Sequence, residues 1–241
     1  MEFEQNNPLP GKYSLAPYLQ PYHPFLRNRN ISPATCEALV VGFLPMSNKT
    51  ALRGRVVFQI RGGQEYASGG FKKILLGHVG YAICEKQALK DGKYKFNSDF
   101  KKNLELYNID QVLMDKLTKH DCQKNGLILV EDTMAVVNLY ENKIYNSVST
   151  FGNTIFLSQI EKLKLIIKHI YPPKLTVMYD NDQAGHEAAQ TAVDLLKENS
   201  LGVPIHKFDW KAVKVPFLSQ TKNAGYLTKD QIQPLRGNKL I

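Results

Sequence analysis

The sequence predicts an α/β protein, a mostly parallel sheet flanked by helices and preceded by a small mixed α+β basic subdomain. Three observations carry this reading. Two short apolar runs, LILV at 127–130 and LTVMY at 175–179, are each followed by a segment with helical character. From residue 127 onward strand-like and helix-like segments alternate, the pattern of a parallel sheet with crossover helices. Upstream, RGRVVFQI and the segment around YASGGFKKILL read as strands, with Arg61, Gly62 and Gly63 supplying the turn between them, so this part is partly antiparallel.

In chain order, residues 1–20 are rich in Pro, Asn and Tyr without periodicity and read as an arm or linker. Ser32 before Pro33 is an N-cap signal, and ATCEALVVG then predicts a short helix ending at Gly42. Ile109, Val112, Leu113 and Leu117 fall at helical spacing over 109–119, and CQKNG turns the chain into the first parallel strand. TMAVVNLYEN predicts a helix, YNSVST a strand and residues 157–170 an amphipathic helix. LTVMY is the next strand, QAGHEAAQTAVDLLKEN a helix with an apolar stripe at Ala188, Ala192, Leu195 and Leu196, and VPIHKFDW the last strand. The expected boundaries are an arm at 1–20, a basic subdomain at 21–120, a parallel α/β domain at 121–215 and a tail at 216–241.

Composition narrows the function classes. The chain has 241 residues, 43% of them apolar, enough for a sizeable core. With 31 Lys and Arg against 22 Asp and Glu the formal charge is +9, which favours a polyanionic partner. No apolar run reaches the length of a spanning helix, and the acidic, proline-containing start MEFEQNNPLPGKYS is unlike a signal or transit peptide. A cytoplasmic location without membrane contact is expected. Cys36, Cys84 and Cys122 are widely separated and form no CxxC pair, and the six histidines show no HxxxH or HExxH spacing. Neither a disulfide framework nor a zinc site is indicated.

The chemistry-bearing residues lie at strand ends. Glu131 follows LILV, and Asp180, Asn181 and Asp182 follow LTVMY. In an open parallel sheet the carboxyl ends of adjacent strands form the ligand crevice, so carboxylates far apart in sequence can converge there. Three such groups point to a hard divalent cation, Mg2+ or Mn2+, and to phosphate chemistry. The structural alternative for each acid is a solvated strand end or a helix N-cap.

This segment resembles the Toprim fold, the metal-binding domain shared by DnaG-type primases, topoisomerases and some nucleases. The resemblance rests on Glu131, on DNDQAG followed by HEAA at 180–189, and on VSTFGNT between them. Upstream, FLRNRNISPATCEALVVGFLP, RGRVVFQIR and DGKYKFNSDFKKNLELYN resemble the primase catalytic core, which favours the primase branch. Residues 20–210 are covered, and the family's zinc-binding and helicase-binding domains are expected to lie outside this chain. The resemblance implies a nucleotidyltransferase that uses Mg2+ or Mn2+ to make short primers on single-stranded DNA from nucleoside triphosphates. A helicase or a separate zinc-binding protein would be a further partner. It gives Glu131, Asp180 and Asp182 the catalytic and metal-binding roles, and Arg29, Arg55, Arg61, Lys72, Lys93 and Lys102 the binding of nucleotide and nucleic acid.

The sequence departs from that pattern in two places. Where the family's first motif continues with Gly and then Asp, this chain has Asp132 and Ala135. A third acidic motif has only Asp209 and Asp230 as candidates. Two further readings follow: a degenerate Toprim nucleic-acid-binding or regulatory protein of a mobile element, phage or defence system, and a Toprim nuclease. In the binding reading Tyr94, Phe96, Phe100 or Tyr107 would stack on bases; otherwise they are core.

Overall fold

The computed structural model describes residues 14–211, 218–237 and 241; residues 1–13 of the expected arm, 212–215 at the end of the expected 121–215 domain, and 216–217 and 238–240 of the expected tail lie outside them. The chain forms two compact units, one of Met1–Gln64 with Lys72–Lys101, the other of Glu65–Phe71 with Lys102–Ile241.

The first unit is built on a four-stranded sheet in the order β1 (Val41–Phe43), β2 (Val56–Glu65), β3 (Phe71–Tyr81) and β4 (Tyr94–Phe96). The β1–β2 and β3–β4 pairs are antiparallel. Helices α1 (Pro24–Arg27), α2 (Pro33–Leu39) and α3 (Glu85–Asp91) complete it. Ser32 caps α2, accepting from the Thr35 N–H at 3.3 Å. The helix stops at Leu39 rather than Gly42, because Val40 turns into the left-handed region at φ 54° and the chain enters β1. Arg61, Gly62 and Gly63 do not form the expected turn. They lie within β2, and the chain reverses at Tyr66–Gly70, where the Tyr66 N–H bonds the Gly70 carbonyl at 3.0 Å. At Gly62 a Cβ would approach Leu76 Cδ1 to 2.7 Å, so a side chain there would displace Leu76.

The described end of the expected arm is built into this unit. Leu15 is buried with Leu44, Leu52 and Val57, and Gln20 bridges to Phe43. The Leu15 N–H donates to His78 Nε2 at 3.3 Å, and Gln59 Nε2 donates to Ser14 Oγ at 2.7 Å.

The second unit carries a parallel sheet in the order β6 (Ser147–Ser149), β5 (Leu127–Val130), β7 (Leu175–Val177) and β8 (Ile205–Lys207). Its helices are α4 (Ile109–Met114), α5 (Lys116–Asn125), α6 (Thr133–Glu141), α7 (Leu157–Ile170), α8 (Gln183–Glu198) and α9 (Lys229–Gly237). The expected helix over 109–119 is two helices, since Asp115 is extended and caps α5 through the Thr118 N–H at 2.9 Å. Strands β5 and β7 are buried along their length, which explains runs without polar alternation. Leu127, Leu129, Val148, Leu163, Ile166, Leu175, Val177 and Leu196 form the centre of the core. In α8 the buried residues are Gly185, Ala189, Ala192, Val193 and Leu196; of the expected stripe Ala192 and Leu196 are buried, and Ala188 and Leu195 are half-buried against the same core.

The C-terminal segment is part of this unit. Asn138 Nδ2 in α6 donates to the carbonyls of Ala224 and Leu227 at 2.9 and 3.0 Å. Arg236 in α9 donates to the buried Asp121 carboxylate at 2.7 Å, while the other Asp121 oxygen accepts from the Tyr145 N–H. No helix among the described residues is long and apolar enough to cross a membrane.

His78 gives the first unit a pH response. Burial pushes its imidazole from 6.5 down to about 4, so the neutral ring that accepts from Leu15 is the folded form. A depressed folded-state value contributes stability above pH 6.5 that is lost as pH falls toward 4. Thermal melts across this range should show that slope, and His78→Gln should flatten it.

Candidate functional site

The sheet order places the site. The chain runs from β5 outward to β6, then crosses back to β7 on the other side of β5, so the strand order reverses between β5 and β7. Ligand crevices in open α/β sheets form at such reversals, at the carboxyl ends of the strands. Leu129 pairs with Val177, and the Met178 N–H donates to the Leu129 carbonyl at 2.8 Å, so the two strands end level. Glu131 leaves one tip and Asp180 the other. Glu131 Oε1 accepts the Asp180 N–H at 2.8 Å.

Two helices start at these tips. Asp132 caps α6, accepting from the Ala135 N–H at 2.7 Å, and Asp182 caps α8, accepting from the Gly185 N–H at 2.7 Å. For these two acids the capping alternative is realised, with one carboxylate oxygen committed. Gly185 is there for space: a Cβ would lie 2.2 Å from the Asp180 carbonyl oxygen. On its other side, Asp180 Oδ2 accepts from Asn223 Nδ2 at 3.1 Å. Asn181 is held by Nδ2 donation to the Ser219 and Thr221 carbonyls, each at 2.9 Å, and its Oδ1 meets His186 Nε2 at 3.0 Å.

The cluster gathers negative charge, and Glu131 registers it. Burial, joined by the carboxylates of Asp180, Asp132 and Asp182, pushes the Glu131 carboxyl from 4.5 up to about 7, although the Asp180 N–H bond opposes the rise. Oxygen donors with excess negative charge suit a hard divalent cation in their chemistry. They are not closed around a common point: among the described residues no three His, Cys, Asp or Glu groups are arranged to hold a metal ion. The acids spend oxygens on backbone N–H groups and on Asn223 instead.

Lys102 belongs to this unit, exposed, with Nζ 3.7 Å from the position a Cβ on Gly152 would take. The Gly152 N–H donates to the Glu131 carbonyl at 2.7 Å, so an ammonium stands beside the acidic strand tip. Neither candidate for a third acidic motif joins it in any bond. Asp209 accepts from the Lys211 N–H at 2.8 Å, and Asp230 is exposed in the first turn of α9.

The remaining basic residues lie in the first unit. Arg29 stacks over Phe25 at 4.7 Å and Tyr81 at 5.8 Å, and Lys93 lies 5.7 Å from the Tyr81 ring and 5.5 Å from that of Tyr94. Together they line an open cleft of ≈ 280 Å³ with Phe25, Tyr81, Cys84 and Glu85. Arg55 is not on this surface. It is 1% exposed, with Nη1 donating to the Gly92 carbonyl at 3.0 Å and Nη2 facing Asp91 at 3.9 Å, so its charge serves the fold rather than a phosphate. Arg61 Nη2 donates to the Ala38 carbonyl at 3.4 Å, and Lys72 is exposed on β3. Of the aromatics, Phe100 and Tyr107 are buried, whereas Tyr94 and Phe96 are half-buried. Asn223 was missed by sequence reasoning, since an isolated Asn carries no motif.

Residues 125–206 match the Toprim domain model. The DNA primase of Clostridium acetobutylicum is 27% identical over 188 residues, 75% of this chain and 26% of that protein. The DNA primase of Lactococcus lactis subsp. lactis is 29% identical over 133 residues, 53% of this chain and 19% of that protein. The chain therefore spans about a quarter or less of these relatives. In fold it is similar to a DnaG primase catalytic domain solved bound to single-stranded DNA, with TM-score 0.64 and 18% identity over 94% of this chain and 75% of that one. The chain carries a Toprim domain and resembles the catalytic core of DnaG-type primases.

Two outcomes test the site's construction. Gly185→Ala should destabilise the protein by about 1–3 kcal/mol in chemical denaturation, because the methyl group must displace the Asp180 backbone. Glu131, whose folded-state value is raised, favours the folded state below pH 4.5, and that contribution is lost as pH rises through about 7. In cation-free buffer at pH 8, Glu131→Gln should therefore melt at a higher temperature than the unsubstituted protein.

Proposed function

We propose that this chain is a primase-type nucleotidyltransferase core, which joins nucleotides into short primers on a single-stranded DNA template in the cytoplasm. The observation that supports this most directly is the meeting of Glu131 and Asp180 at the strand-order reversal of a Toprim sheet. Primer extension joins a 3′-hydroxyl to the α-phosphate of a nucleoside triphosphate and releases pyrophosphate. A bound Mg2+ or Mn2+ would lower the pKa of that hydroxyl and neutralise charge on the phosphorus and leaving group.

In this chain Glu131, Asp180 and Asp182 would hold the cation, each through a carboxylate oxygen. Lys102 would set an ammonium against the triphosphate. The Arg29–Lys93 cleft, with Tyr81 and Phe25 in its wall, suits a nucleic-acid strand by phosphate contact and stacking. Lys72 would add an exposed phosphate contact and Arg61 a partial one. A helicase and a separate zinc-binding protein are the partners this reading calls for.

A second reading is favoured by the same geometry. Three ligands are not gathered in advance, and Ala135 and Asn223 stand at the cluster without charge. A Toprim relative that only binds nucleic acid, in a mobile element or defence system, would need no more than this.

One assay separates them: single-stranded template, labelled nucleotides and Mg2+ or Mn2+. New oligonucleotides are expected, falling at least ~100-fold in Asp180→Ala and Asp182→Ala. Full synthesis by both variants would remove the cation assignment. Template shortening would make the protein a nuclease, and template binding without turnover at either cation would leave the binding module.

A further inference from the structure

One wall of the acidic cluster is neutral. The C-terminal segment delivers Asn223, 5% exposed, whose Nδ2 donates to Asp180 Oδ2 at 3.1 Å while its Oδ1 accepts from the Gly225 N–H at 2.9 Å. Both ends of the amide are thus committed, and the segment is fixed by separate bonds. The Asn181 N–H donates to the Lys222 carbonyl at 2.6 Å, and Asn138 grips the carbonyls of Ala224 and Leu227. Gly225 lies against the first turn of α6, where its Cβ would be 3.5 Å from the Ala135 nitrogen. The C-terminal segment and α6 therefore meet at Ala135 and Gly225, and the Asn223 side chain that bonds Asp180 from this segment is an amide.

We propose that Asn223 is a positioning residue that fixes Asp180 and stands in for a cation at its carboxylate. The inference rests on the reading that Glu131 and Asp180 take a divalent cation. Without one, Glu131 Oε1 is held by the Asp180 N–H at 2.8 Å, and the Asn223 donor lowers the cost of the negative charge on Asp180. The same bond occupies an oxygen that a cation would use, so it tunes affinity downward. A carboxylate at this position would reverse both effects, because charge count and ligand number set divalent-cation affinity.

Isothermal titration with Mn2+ tests this on the full chain. Asn223→Asp should bind Mn2+ at least ~10-fold more tightly than the unsubstituted protein. It should also melt lower in cation-free buffer and recover when Mn2+ is added. A residue that only braces the fold would lower the melting temperature without tightening Mn2+ binding, and affinity unchanged within about twofold would overturn the proposal. A measurement on the unsubstituted protein guards against a variant that fails to fold. The Asn223 side-chain amide resonances should shift during a Mg2+ titration and stay fixed in Asp180→Ala; resonances unmoved at saturation would also overturn it. Mn2+ binding left intact in Asp180→Ala would sink the cation reading itself, a result distinct from failure at Asn223.

Discussion

The hydrogen bond from the Asp180 N–H to Glu131 Oε1 is the constraint around which the second unit is arranged. It requires β5 and β7 to be neighbours and to end level, which in turn requires the chain to go out to β6 and return across β5. It also brings two helix starts to the same place. Asp132 and Asp182 cap α6 and α8, and the N–H groups of those first turns meet negative charge. Gly185 follows from this closeness, since the first turn of α8 runs against the Asp180 backbone with no room for a methyl group.

Crowding acids in this way is unfavourable unless something offsets it. Helix N-termini contribute partial positive charge, yet the Glu131 carboxyl is still raised, so the dipoles do not balance the burial and repulsion. One further donor, and the bonds that fix it in place, come from the C-terminal segment. Asn223 donates to Asp180, backbone carbonyls at 219–222 accept from Asn181, and Arg236 pins the closing helix to a buried Asp121. A segment of little local signal therefore completes a site whose carboxylates lie elsewhere. Lys102 brings an ammonium to Gly152, whose N–H bonds the Glu131 carbonyl.

What the sequence disclosed, and what it hid, divide along physical lines. LILV and LTVMY were legible as buried parallel strands because both faces are covered, and the acids at their tips were legible because the side-chain type changes abruptly. Ser32 and Pro33 announced α2, but not its end, because Val40 adopts a left-handed conformation that a β-branched residue gives no reason to expect. Arg61, Gly62 and Gly63 read as a turn by composition; tertiary packing against Leu76 uses Gly62 for space inside a strand instead. Asn223 was illegible for another reason. Its meaning comes only from the Asp180 oxygen it meets, and that contact spans the sequence from 180 to 223.

Charge alone is a poor guide to the surface that binds a polyanion. Of the six basic candidates, Arg55 had as good a sequence argument as Arg29, yet burial decides between them. Arg55 is enclosed by backbone carbonyls and Asp91, where removing its charge would leave acceptors without a donor. Arg29 and Lys93 instead place their cations over aromatic faces at the rim of a cleft. A guanidinium stacked on a ring is held in one orientation. An excess of +9 therefore sets a long-range preference for nucleic acid, but the number of phosphates neutralised depends on how few of those charges remain at the surface in fixed positions.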